Sequence, residues 1–306
     1  MSLRPIAKRL LPPLLEDGIR WIEQMKFLSR SNHPESIVPW SEGYFFYRRK
    51  YIREALANTE LMDALSSGAP LPPKYGVGVD ERCLEYPWLL AGLDYEPGVF
   101  LDAGSTLNHD FILDHPGLQH KMIHILTLAP DTNCFWQRGI SYLFHDMRDI
   151  PVRGDYYDTI ACLSTLEHIG CDNNMFTNNK SELDDCPEDF VLAMQELGRV
   201  LKPGGTLFLT VPYGVYRHFG TFQQFDGKLL SRAVDAFGKF GALTESFYRY
   251  TKDGWQVADA AACAECEYVE WIAQAWEHKQ WPNPLPLEPD RAAAARAVAC
   301  VRLIKG

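Results

Sequence analysis

Glu167 and His168 set a carboxyl beside an imidazole directly after the apolar run Tyr157–Leu163. That pairing can take a proton from a hydroxyl or hold a divalent cation. A second histidine, His218, follows a later apolar run in Tyr216-Arg217-His218; Tyr213, Arg217 and Asp226 flank it and are expected to face an acceptor, with exposed loop residues as the equal alternative. Earlier, the run Val99-Phe100-Leu101 ends in Asp102-Ala103-Gly104 and continues as Ser105-Thr106-Leu107-Asn108. A glycine there allows a tight turn and close backbone approach to a ligand, and a following helix N-terminus offers unpaired N–H groups. His145-Asp146-Met147 is an acid followed by an apolar side chain, able to hold an adenine amino group and pack on the ring. Each motif also has a plain reading as an ordinary strand-to-helix turn.

The elements that position these residues read as an α/β pattern. Short apolar runs at 99–101, 122–128, 140–144, 157–163 and 206–211 alternate with polar or helical segments, as in a parallel sheet covered on both faces. A helix is expected from Pro187, with Phe190, Met194, Leu197 and Leu201 on one stripe and Pro203-Gly204-Gly205 as its stop. In such a sheet ligands bind beyond the carboxyl ends of the strands, where the motifs above fall. Helices are expected near 14–28, 41–66 and 226–238, and strands near 243–250 and 297–304. The polar stretch 170–187 is read as a lid over an acceptor pocket or a long surface loop. Glu85-Tyr86-Pro87-Trp88 either closes a cofactor pocket or packs beneath the sheet. Residues 254–281, with Trp255, Glu265, Glu267, Tyr268 and Trp271, are read as a core-facing helix, with an aromatic sugar platform as the alternative.

Taken together, VFLDAGS, HDMRDIP, YYDTIACLSTLEHIG and ELGRVLKPGGTLFLTVP resemble the class I S-adenosylmethionine-dependent methyltransferase superfamily, over residues 98–215. The resemblance implies a Rossmann-like sheet of seven strands, mostly parallel with the last antiparallel, and S-adenosylmethionine as cofactor. It implies that Asp102, Gly104 and Ser105 shape the loop around the methionine part, Asp146 binds the adenine amino group, Met147 flanks the ring, and Leu163 and Ser164 floor the sulfonium. The chain departs from the pattern twice. Thr106 and Asn108 stand where later glycines of the loop are usual, so side-chain hydrogen bonds are expected to replace close backbone approach. Thr127 stands where an acid usually grips the ribose; a lost charge-assisted hydrogen bond is worth roughly 1.5–3 kcal/mol, and Asp131 or Glu85 are the compensating candidates. Some members hold a divalent cation with E-x-x-E-H at this place; here Ser164 opens S-x-x-E-H, so the set is incomplete, with His218 as a further ligand. The catalytic or metal reading of Glu167 and His168 stands beside a structural one.

Composition narrows the classes. The 306 residues are 46% hydrophobic and carry a formal charge of −10, which argues against a general phosphate-backbone binder, so no nucleic-acid partner is expected. Arg48-Arg49-Lys50 lies among aromatics and is read as part of an amphipathic helix rather than a nucleic-acid patch. No apolar run approaches the ~18 residues of a membrane span, and Pro12 and Pro13 break the leading apolar stretch, so a cytoplasmic protein with reduced thiols is expected. Cys263 and Cys266 form a lone C-x-x-C without a second pair. The expected organisation is a helical extension over 1–97 and a methyltransferase-like domain over 98–306. The expected activity is methylation of a small molecule, with a sugar or glycan hydroxyl as preferred acceptor; oligomeric state stays open. A binding or scaffold protein that has lost its cofactor grip is the alternative. A nicotinamide oxidoreductase is disfavoured because no G-x-G-x-x-G follows the first strand.

Overall fold

The computed structural model describes residues 38–41, 43–131, 133–177, 184–271 and 287–306; the helix expected near 14–28 lies outside them. The helix expected over 41–66 is two, α1 (Tyr44–Leu56) and α2 (Thr59–Ser67). The break falls at Asn58, whose side chain accepts the Leu61 N–H at 3.1 Å and caps α2. Next comes α3 (Arg82–Gly92), with Pro87 inside it. Proline cannot donate to the carbonyl four residues back, and that carbonyl, of Cys83, instead accepts the Tyr75 hydroxyl.

Then follow β1 (Gly98–Ala103), the short α4 (Asp110–Leu113), β2 (Lys121–Thr127), β3 (Ser141–Phe144), β4 (Tyr157–Leu163), the single turn α5 (Asn174–Thr177), α6 (Phe190–Val200) and β5 (Leu201–Pro212). The pairing of β4 with β5 jumps from Tyr157–Leu201 to Thr159–Thr206, so Lys202–Gly205 loops out of the ladder. Gly204 makes that excursion at φ 76°, and Lys202 is tied back to Asp158 at 2.7 Å. The two-residue strands β6 (Arg217–His218) and β7 (Gln223–Gln224) form a separate ribbon. Last come α7 (Gly227–Phe237), β8 (Phe240–Thr251), β9 (Gly254–Ala258), α8 (Ala260–Cys263) and β10 (Ala297–Lys305).

The sheet runs β3-β2-β1-β4-β5-β10-β8-β9. Its first five strands are parallel, and β10 is antiparallel to both neighbours. It therefore has eight strands where seven are expected. The additional one, β9, takes residues 254–258 out of the helix expected there and forms the sheet's edge, paired to β8 alone, with Gly254 and Trp255 buried and Gln256 and Val257 exposed.

Two apolar layers cover the sheet. Leu101, Ile160, Leu207 and Leu209 pack against Phe190, Met194 and Leu197 of α6 and Leu230 and Val234 of α7. Phe100, Ile123, Ala161 and Phe208 face the other way, onto Ile52, Leu61, Leu84 and Leu89 of α1–α3. Truncating a fully buried leucine such as Leu89 would cost about 2–5 kcal/mol. The basic run of α1 is matched by acids: Arg48 to Asp80, Arg49 to Asp110 and Lys50 to Glu54. Cys263 and Cys266 are buried, and none of the eight cysteines is in a disulfide. No helix among the described residues is long and apolar enough to cross a membrane.

Candidate active site

Strand order reverses between β1 and β4, and the turns after these strands meet there. Asp102, fully buried, holds the turn after β1 by accepting Leu107 N–H at 2.9 Å, Thr106 N–H at 3.2 Å and the Thr106 hydroxyl at 3.3 Å. Burial pushes its carboxyl up to about 7 even though these bonds favour the ionised form. Gly104 follows at φ 123°, and a Cβ there would lie 2.2 Å from Thr165 Oγ1 of the turn after β4. Only glycine lets the two turns come this close.

Two cavities open at this junction. The smaller, about 190 Å³, is walled by Leu126, Leu128, Met147 and Ile169, with Asp146 and Arg148 on one side and Gly104, Thr106 and Arg82 on another. The larger, about 550 Å³, is walled by aromatic residues of α1, α3, the β7 region and the 268–271 segment, with Asp80, Glu81, Asp131 and Glu167 among them. Arg82, Gly104, Thr106, Thr127, Ser164 and His168 line both.

The sequence candidates divide between these walls and the interior. Gly104, Thr106, Thr127, Ser164 and His168 line both cavities, Asp146 and Met147 the smaller, Ser105 and Glu167 the larger. Asp102, Asn108 and Leu163 line neither. Asn108 is used up inside, donating to Asp131 at 3.3 Å and Asn133 O at 3.1 Å and accepting the Tyr142 hydroxyl at 3.0 Å. Asp146 is salt-bridged to Arg148 at 2.7 Å, which holds its carboxyl below the ordinary range; Arg148 also reaches Asp184 and Asp189 at 2.7 Å. The segment from Gly170 to Pro187 is thus tied to the smaller cavity at its described end, while 178–183 lie outside the described residues. Thr127 Oγ1 turns to Ala129 O at 3.3 Å. Of the two ribose candidates, Asp131 lines the larger cavity and Glu85 is buried behind both.

His168 Nδ1 donates to Thr221 O at 2.7 Å, and burial lowers its pKa to about 4, so the ring is neutral with its proton on Nδ1. Glu167, 4% exposed, is pushed well above the carboxylate range by burial, and its Oε2 has no hydrogen-bond partner among the described residues. His218 is exposed on β6, with Nε2 3.5 Å from Cys171 Sγ, and lines neither cavity. Tyr213 packs on Phe247, Arg217 faces Glu270 at 3.7 Å, and Asp226 caps α7 through Leu229 N–H at 2.8 Å. The metal set read at Glu167, His168 and His218 is therefore not assembled. Among the described residues the gathered donors are Asp184, Cys186 and Asp189, and Arg148 already supplies the positive charge to both aspartates.

Sequence reasoning singled out Glu85–Trp88 but missed Asp80, Glu81 and Arg82 just before them. Arg82 reaches Glu85 Oε2 at 2.7 Å, and Oε1 of the same carboxylate accepts Ser164 Oγ at 2.5 Å and Thr210 Oγ1 at 2.6 Å. Asp80, Glu81 and Tyr86 line the larger cavity, whereas Trp88 packs edge-on against Phe208. The acid–aromatic cluster at 80–88 was the available signal; its partners lie too far along the chain to be read from it.

Residues 119–209 match the family model described as "Methyltransferase domain". No curated protein matches. Among solved structures, the chain is similar to a Burkholderia thailandensis 1,6-didemethyltoxoflavin-N1-methyltransferase bound to S-adenosylhomocysteine, at 12% identity and TM-score 0.41 over 97% of this chain and 92% of that one. It is similar to the [4+2]-cyclase SpnF at 15% and 0.40 over 80% of each chain. A Methanosarcina mazei S-adenosylmethionine-dependent methyltransferase gives 11% and 0.37, over 69% and 93%. Likenesses of this size carry no information about an acceptor.

Proposed function

We propose that this chain, whose residues 119–209 match a methyltransferase domain, is a class I S-adenosylmethionine-dependent methyltransferase that methylates a hydroxyl of a small polar acceptor, such as a sugar or glycan intermediate, held in the larger cavity. The observation that carries this reading is the pair of cavities sharing one rim at the ends of β1, β2 and β4. The smaller suits the cofactor: an apolar slot between Leu126, Leu128, Met147 and Ile169 for a flat ring, an ionised Asp146 to accept from an amino group, and the Gly104 turn with Arg82 for the amino-acid end. When bound, S-adenosylmethionine supplies an electrophilic methyl group on a sulfonium.

The protein's task is then alignment and proton removal. A hydroxyl must lose its proton as its oxygen is methylated, and Oε2 of Glu167 is a buried carboxyl oxygen without a hydrogen-bond partner among the described residues. Its raised pKa makes the ionised form a strong base and makes the reaction faster as pH rises. Neutral His168, with its proton held on Nδ1, presents an imidazole edge that orients the acceptor without competing for its charge.

Calorimetric titration with S-adenosylmethionine and S-adenosylhomocysteine tests the reading. Micromolar binding is expected, weakened about tenfold or more by Asp146→Ala, the loss of one charge-assisted hydrogen bond. Methyl transfer to sugar hydroxyls should then fall in Glu167→Gln with cofactor affinity kept. A folded protein that binds neither nucleoside would favour the scaffold reading, for which the missing acid at Thr127 is the supporting feature.

A further inference from the structure

We propose that the acceptor carries a cationic ammonium group, which the larger cavity binds between the carboxyls of Glu81 and Glu167 and its aromatic walls. This rests on the acceptor reading above and narrows its substrate class. Both guanidiniums of the cavity already have acids: Arg48 lies 2.6 Å from Asp80, and Arg82 lies 2.7 Å from Glu85. Three further carboxyls face the same space: Glu81, Asp131 and Glu167.

Asp131 accepts from Ser105 and Asn108 at 3.3 Å, and Glu81 accepts one amide N–H, of Ala295, at 3.2 Å. Glu167 is more than nine-tenths buried with Oε2 unpartnered among the described residues. A buried acceptor atom left unmade is costly, so Glu167 calls for a donor from whatever fills the cavity. An ammonium offers three donors and a full charge; a hydroxyl offers one donor. The walls suit the same ion. Trp40, Phe45, Tyr86, Phe222, Tyr268 and Trp271 line the cavity, and aromatic rings attract cations. An anionic acceptor would meet the carboxyls of Glu81 and Glu167 instead.

The test uses the full chain saturated with S-adenosylhomocysteine and three ring probes differing in one group: cyclohexylammonium, cyclohexanol and cyclohexanecarboxylate. By calorimetry the ammonium is expected to bind about tenfold or more tighter than the alcohol, as one charge-assisted contact provides, and the carboxylate not at all. That preference should shrink several-fold in Glu167→Gln and in Glu81→Gln, each checked for folding by circular dichroism and by retained S-adenosylhomocysteine affinity. Absent ammonium binding, an equal or stronger alcohol, or a preference intact in both variants overturns the proposal. If S-adenosylhomocysteine itself does not bind, the methyltransferase reading fails separately, and the same probes on the free protein, with the same expected order, still decide this one.

Discussion

Glu85 is fully buried, and its two oxygens do different work. Oε1 accepts the hydroxyls of Ser164 and Thr210, while Oε2 faces Nη1 of Arg82. Glu85→Gln therefore separates them: the amide oxygen keeps both hydroxyl bonds, and the amide nitrogen turns a donor toward a guanidinium that is also a donor. Arg82 is 20% exposed, so water relieves part of the conflict, and we expect a loss of about 2–3 kcal/mol. Arg82→Met instead strands a carboxylate that no water reaches, at about 3–5 kcal/mol. The double variant holds neither charge and should cost about 1–2 kcal/mol, the range for a neutral amide left with one unmade bond. Urea denaturation of the wild type and the three variants then yields a coupling energy of about 3 kcal/mol or more. Additivity of the two single losses within ~0.5 kcal/mol, or an unperturbed Glu85→Gln, would refute the clamp.

Gly104→Ala must place a Cβ 2.2 Å from Thr165 Oγ1 at φ 123°, so cofactor affinity should fall at least tenfold, overpacking and strain each being worth about 1–3 kcal/mol. Binding of S-adenosylhomocysteine at wild-type strength would show that the turn is not the cradle described. Asp102, raised to about 7 when folded and near 4 when unfolded, binds a proton that the unfolded chain releases first. Its contribution is thus full below about pH 4 and declines up to about pH 7, by several kcal/mol at about 1.4 per unit. Urea midpoints measured from pH 4 to 8 should fall for the wild type relative to Asp102→Asn as pH rises; parallel profiles would contradict the shift.

The sheet was legible because its strands are near-continuous apolar runs separated by strong punctuation, and because the Phe190–Leu197 stripe has one period. The strand β9 was hidden by its size: five residues at an edge, two of them outward-facing, running into an alanine-rich stretch. The helix α3 was masked by Pro87, whose cost is met by a tyrosine from outside the helix. Of the Glu85 clamp only the Arg82 pair is local, since its hydroxyl donors lie 79 and 125 residues away. His218 misled for the converse reason: following a strand in sequence did not bring it to the strand end where the cavities open. The turns after β1 and β4 were readable because glycine, acid and short polar residues there answer to backbone geometry more than to distant contacts.

Arg82, Gly104, Thr106, Thr127, Ser164 and His168 form a rim that both cavities share. Whatever settles first fixes side chains that the second arrival must meet, so occupancy on the two sides is a single thermodynamic quantity. The factor by which one ligand tightens the other is the same read from either direction. Exchange of spent cofactor for fresh is then governed partly by what still sits next door, and an ammonium probe that slows or hastens S-adenosylhomocysteine release would report that traffic directly.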